Sequence, residues 1–211
     1  MNETPFGEPI PPGTPAAGIV QRAKDILLKP NETWPVIAAE PATAQSIYVP
    51  YVVVLAAIGP LAGFIGGQVF GFSFLGVTYR PPLVDSLVSA VVSYGLALAS
   101  VFLLALVIDA LAPNFGGRKD PVQALKVAAY VGTAGWVGGI FGLIPALGVI
   151  GLLFALYGLY LLYLGLPVLM KAPEDKALGY TVVVILAAIV LFVIVGAVAA
   201  AVASPSIGSF S

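Results

Sequence analysis

The stretch KVAAYVGTAGWVGGIFGLIPALGVIGLLFALYGLYLLYLGLPVLMK, residues 126–171, holds 44 consecutive uncharged residues between Lys126 and Lys171. A helix of that length would be about 66 Å long, roughly twice the ~30 Å hydrocarbon core of a bilayer. It therefore reads as two crossings, with Leu143-Ile144-Pro145-Ala146-Leu147-Gly148 supplying the turn between them. Working outward, Ile47 to Gly71 gives 25 residues without a charge, and Leu83 to Ala112 carries only Asp85 and Asp109, with 23 uncharged residues between them. Those 23 residues span about 34 Å as a helix, so both carboxylates can reach an interface. A last crossing runs from about Pro173 to Ala203, all but its first four residues inside 35 uncharged residues from Ala177 to Ser211. The predicted fold is an all-α integral membrane protein, a five-helix transmembrane bundle preceded by an interfacial amphipathic helix.

Composition agrees with that reading. The 211 residues are 60% hydrophobic and 9% charged, against roughly 45–50% and 25% in soluble domains. Formal charge is −1, so no basic field is available for nucleic acid. The absence of Cys and His removes disulfides, thiolate nucleophiles, imidazole bases and the usual zinc and haem ligands. No cofactor, no metal and no catalytic residue is predicted: Asp85 and Asp109 lie at opposite membrane faces, and no Gly-x-Ser-x-Gly elbow occurs.

Residues 1–16, rich in Pro, Gly and Thr, read as a disordered tail without the pattern of a cleavable signal peptide. Residues 17–46 read as an interfacial helical segment, 47–203 as the five-span membrane domain and 204–211 as a short external tail. Within 17–46, Ile19, Val20, Ala23, Ile26 and Leu27 share one helical face while Arg22, Lys24, Asp25 and Lys29 occupy the rest, up to Pro30. That face suits either the headgroup plane or docking on the protein's own cytoplasmic loops. With the N-terminus inside, eight of the nine Lys and Arg residues are cytoplasmic and only Arg80 is outside. The positive-inside rule thus predicts a cytoplasmic N-terminus and an external C-terminus.

Several polar residues stand out against this background. Asp120-Pro121-Val122-Gln123 reads as N-cap, N1 proline and capping-box glutamine of the third span. Pro173-Glu174-Asp175 places two acids in the first turn of the fifth, where the helix dipole favours them. Asp109, in the last turn before Pro113, sits where the dipole disfavours it and calls for a cationic partner. With Arg118, Lys119, Asp120 and Lys126 it forms a predicted cytoplasmic interaction cluster, serving either neutralisation or recognition. At mid-depth, Tyr157 needs a hydrogen-bond partner, so Ser89, Ser93, Thr133 and Tyr157 form a predicted intramembrane polar cluster, structural or lining a ligand path. Small residues recur at helical spacing: Gly59, Gly63, Gly67 and Gly71; Gly132, Gly135, Gly139 and Gly142; Ser86, Ser89, Ser93, Ala97 and Ser100. Such seams pack helices within one chain or between copies in a homo-oligomer.

The segments Phe115-Gly116-Gly117-Arg118-Lys119-Asp120 through Lys126-Val127-Ala128-Ala129-Tyr130-Val131-Gly132, and Tyr157-Gly158-Leu159-Tyr160-Leu161-Leu162-Tyr163-Leu164-Gly165-Leu166-Pro167 through Gly179-Tyr180-Thr181, look like landmarks of a known family. On these and on its five-span plan, the chain resembles the Yip1 domain family, in particular its bacterial branch, from about Arg22 onward. The resemblance implies a membrane protein without known catalytic residues, whose eukaryotic relatives bind small GTPases and each other in vesicle trafficking. Where those relatives carry an acidic Asp-Leu-Tyr-Gly-Pro type motif, this chain has Ser46-Ile47-Tyr48-Val49-Pro50-Tyr51. The expected function is non-enzymatic organisation of membrane proteins or lipids through cytoplasmic loops in a bacterial inner membrane. A permease or channel along Ser89, Ser93, Thr133 and Tyr157 is the alternative. The expected partners are the lipid bilayer, a membrane protein and a second copy of the chain, with no nucleic acid.

Overall fold

The computed structural model describes residues 15–74 and 77–203, so residues 1–14 of the predicted 1–16 tail and the predicted tail 204–211 lie outside the described residues, while Pro15 and Ala16, expected in the tail, open a helix. Five helices are long and apolar enough to cross a membrane: Ala44–Val69, Leu83–Phe115, Pro121–Leu143, Pro145–Met170 and Glu174–Val198, here the first to fifth spans. Two shorter helices precede them, α1 (Pro15–Leu28) and α2 (Pro30–Ala39). Pro30 ends α1 as expected, but it also opens α2. Its missing N–H is harmless in a helix's first turn.

Proline also explains the irregular first span. It widens into a π-helical turn at Tyr48–Val52, around Pro50, and breaks at Ala57, just ahead of Pro60. Each proline removes one donor from the i→i−4 ladder, and the chain re-forms its bonds with a different period. At the other end of this span Gly71, with φ 71°, turns the chain into a short antiparallel hairpin, β1 (Phe72–Phe74) and β2 (Val77–Tyr79), with Phe72 opposite Tyr79. The hairpin was not anticipated from the sequence, because three-residue strands carry too little periodicity to register.

The third span is central, packing on the second and fourth and also on α1 and the first span. The glycine seams of the first and third spans close on each other. A Cβ at Gly66 would lie 2.2 Å from the Gly142 carbonyl oxygen, and one at Gly139 would lie 2.8 Å from the Gly59 Cα. These seams therefore pack within the chain, by close backbone approach.

The core gathers at the end of the bundle that carries α1 and α2. It joins Ile26, Trp34 and Ile37 to Ile108, Val127, Leu161, Met170 and Tyr180. The apolar stripe of α1 packs on the first span rather than on a cytoplasmic loop: Ala23 meets Tyr51 and Leu55, while Val20 of the same stripe stays exposed. Trp34 of α2 is 1% exposed, edge-on to Tyr130 and seated over Gly165, where a Cβ would come within 2.7 Å of the indole.

Candidate functional site

The loop between the second and third spans begins as a 3-10 turn, Ala112–Phe115, and reverses at Gly116 with φ 73°, a conformation costly for any residue with a Cβ. Two backbone bonds then pin it: Gly117 N–H donates to Ala112 O at 2.9 Å and Arg118 N–H to Met170 O at 2.8 Å. The second of these ties the loop to the end of the fourth span. Phe115 stacks on Tyr180 with ring centroids 5.1 Å apart, and the Tyr180 hydroxyl donates to Ile108 O at 2.5 Å. The backbone is thus fixed, while the Arg118 and Lys119 side chains are exposed.

Two further cations share this surface. Lys171, with φ 53°, directly follows the Met170 carbonyl that holds Arg118, and the Lys176 ammonium lies beside Gly116. Both are exposed, as are Glu174 and Asp175 in the first turn of the fifth span. The positive residues flanking the third, fourth and fifth spans therefore converge on one rigid two-loop platform. The signal for Lys171 and Lys176 was their position at span ends, but no pattern in the sequence says that those ends touch.

The other members of the predicted cluster are turned inward. The Asp120 carboxylate accepts from Val122 N–H at 3.1 Å and Gln123 N–H at 3.0 Å, capping the third span. Asp109 accepts the Asp120 N–H at 2.8 Å, so its partner is a backbone amide rather than a cation. It supplies the reciprocal half of the capping box that Gln123 was expected to supply. The Gln123 side-chain amide instead donates to Ala38 O at 3.0 Å. Lys126, only 2% exposed, donates to Ile37 O at 2.7 Å and Glu40 O at 2.6 Å. Together, Gln123 and Lys126 satisfy the carbonyls at the end of α2, where the helix dipole favours a cation. The Glu40 side chain, in turn, pairs with Arg22 of α1.

The four residues of the predicted intramembrane cluster are not gathered in one place. Thr133, wholly buried, shares a 2.7 Å hydrogen bond with Tyr51. The Tyr157 hydroxyl donates to Leu27 O at the end of α1, also at 2.7 Å, and Tyr94 donates to Val53 O at 2.9 Å. Each hydroxyl has found a carbonyl or hydroxyl on another segment of the chain, as burial requires. Ser89 and Ser93 line a cavity of about 640 Å³ between the first two spans, at the hairpin end.

The family model of the Yip1 domain matches residues 24–195, which takes in α2, the pinned loop, the first four spans and the fifth as far as residue 195. No curated protein and no solved structure matches the chain.

Proposed function

The chain belongs to the Yip1 domain family, and on that premise we propose that this integral membrane protein is a non-enzymatic organiser that holds membrane proteins or lipids against its two-loop cationic platform. The observation that carries the reading is the pairing of exposed Arg118 and Lys119 side chains with a backbone anchored to Met170 and Ala112. A preorganised charged surface loses little entropy on binding, which suits recognition more than solvation.

The disposition of acids supports a role without catalysis. Asp109 and Asp120 serve the helix cap, and Asp85 lies in the first turn of the second span at the hairpin end. The positive-inside rule supports a cytoplasmic platform with the hairpin outside, and the resemblance to the bacterial branch of the family is what suggests a bacterial inner membrane. The separate partners of Thr133 and Tyr157 favour the organiser over a permease path, which would need them to follow Ser89 and Ser93 in sequence.

The test is capture from gently solubilised native membranes, comparing the natural chain with Arg118→Glu/Lys119→Glu. A stoichiometric protein or lipid companion that the double variant loses, while remaining monodisperse and helical, supports the organiser. Undiminished capture by the variant removes the platform from the account.

A further inference from the structure

The cavity at the hairpin end points to a second site, separate from the platform. We propose that it binds the ammonium group of an amphiphile, with Asp85 as the counter-ion and the groove between the first and second spans holding the apolar chain. It is lined on the second span by Asp85, Ser86, Ser89, Ser93 and Ala97, and on the first by Gly59, Pro60, Gly63, Phe64 and Gly67. From Asp85 to Ala97 the helix rises about 18 Å. The site is therefore charged at its mouth and long and narrow below, the shape of a headgroup with a tail.

Two observations select a cation. No Lys or Arg lies within ion-pairing distance of Asp85 among the described residues, although Arg80 is close in sequence and donates to Val69 O instead. The rings of Phe64, Phe72 and Tyr79 line the same space, and aromatic faces attract ammonium groups. The cavity also has a firm frame: the Gln68 amide donates to Pro81 O at 3.2 Å and Ser86 Oγ at 2.7 Å, latching the two spans at the mouth.

The ammonium could be carried by a lipid headgroup or by a free alkylamine. The full chain in phosphatidylglycerol nanodiscs is titrated with lyso-phosphatidylethanolamine, lyso-phosphatidylglycerol of equal chain length, and dodecylamine, with bound ligand read by native mass spectrometry. Binding of an ammonium ligand about tenfold tighter than lyso-phosphatidylglycerol is expected, since one charge-assisted contact is worth about that much. Asp85→Asn should abolish the preference. Gly63→Leu should lower binding of every ligand, because a Cβ at Gly63 meets nothing within 4 Å and its side chain would fill the groove. Preference for lyso-phosphatidylethanolamine assigns the site to a lipid headgroup; binding of dodecylamine alone assigns it to a soluble amine. Equal binding of both lysolipids without dodecylamine binding, no binding at all, or an unchanged preference in Asp85→Asn overturns the proposal. Asp85 is exposed, and Asn keeps its size, so that variant folds even if Gly63→Leu does not.

Discussion

The two halves of the bundle are built on different terms. Around α1 and α2, Trp34, Ile108, Leu161, Met170 and Tyr180 are almost wholly buried against one another. At the hairpin end no side chain of the second span before Val101 is buried, nor any of the fourth before Gly158 or of the fifth from Ile185 to Val198. The first half is closed by side chains packed within the chain and by hydrogen bonds between segments far apart in sequence. In the second, close contacts are fewer: glycines of the first and third spans meet, Gly138 of the third packs on Phe154 of the fourth, and much of the remaining apolar surface is left to the bilayer. Lipid tails are as apolar as leucine, so that exposure costs nothing in a membrane. Stability should thus be concentrated at one end, while the other is left open for an occupant.

The largest effect at a polar contact is expected from Lys126→Met. The variant keeps the length of the stem but leaves the Ile37 and Glu40 carbonyls, at the end of α2, without their donor. One buried and one part-buried acceptor left unsatisfied amount to about 3 kcal/mol. Unfolding in mixed micelles should show that loss, and limited proteolysis should show cleavage between α2 and the first span. If Lys126→Met is as stable as the natural chain, the ammonium is not what holds α2, and the contrast between the halves loses its main support.

The second test stays within the open half. Gly66→Ala sets a Cβ against the Gly142 and Leu143 carbonyls, which are backbone and cannot move aside, whereas Gly63→Ala places one in empty space. Overpacking of this kind costs about 2 kcal/mol, and an alanine in open space should be within about 0.5 kcal/mol of neutral. The same micelle unfolding measurement on both variants checks the difference. Equal effects would mean that the seam between the first and third spans is not closed as described.

Much of this contrast was hidden from the sequence for a physical reason. The number of spans, the turn at Pro145 and the Asp120 cap were legible because hydropathy and helix capping are local, set by residues within a few positions of each other. Lys126 was read as part of a surface cluster because a lysine near a span end snorkels by default. Its acceptors are 86 and 89 residues away in sequence, and nothing near it specifies the pairing. One clue was present: Lys126 is enclosed by Leu125 and Val127 on a helix buried on most sides. A cation in that setting must find acceptors inside the protein. Tyr157 was expected to need a partner, with Thr133 as a candidate for it, but Tyr157 bonds Leu27 and Thr133 bonds Tyr51, pairings set by where α1 and the first span dock. Fold was legible to the extent that it depends on depth. The sites depend on azimuth around each helix, which nearly uniform apolar sequence does not encode: the fourth and fifth spans carry apolar residues on all faces.

The smallest effect is also the most discriminating about what surrounds the open half. Phe192 on the fifth span is 77% exposed and faces the groove between the second, third and fifth spans. In water, removing such a ring would relieve an exposed apolar surface; in a bilayer it exchanges ring contacts for lipid contacts at little net cost. Phe192→Ala should therefore change stability by less than about 0.5 kcal/mol in bilayer nanodiscs, whereas Leu161→Ala, in the packed half, should cost about 2–4 kcal/mol. A loss at Phe192 that approaches the one at Leu161 would mean that the fifth span's outer half is covered by protein, and a dependence of that loss on protein concentration would identify the cover as a second copy of the chain.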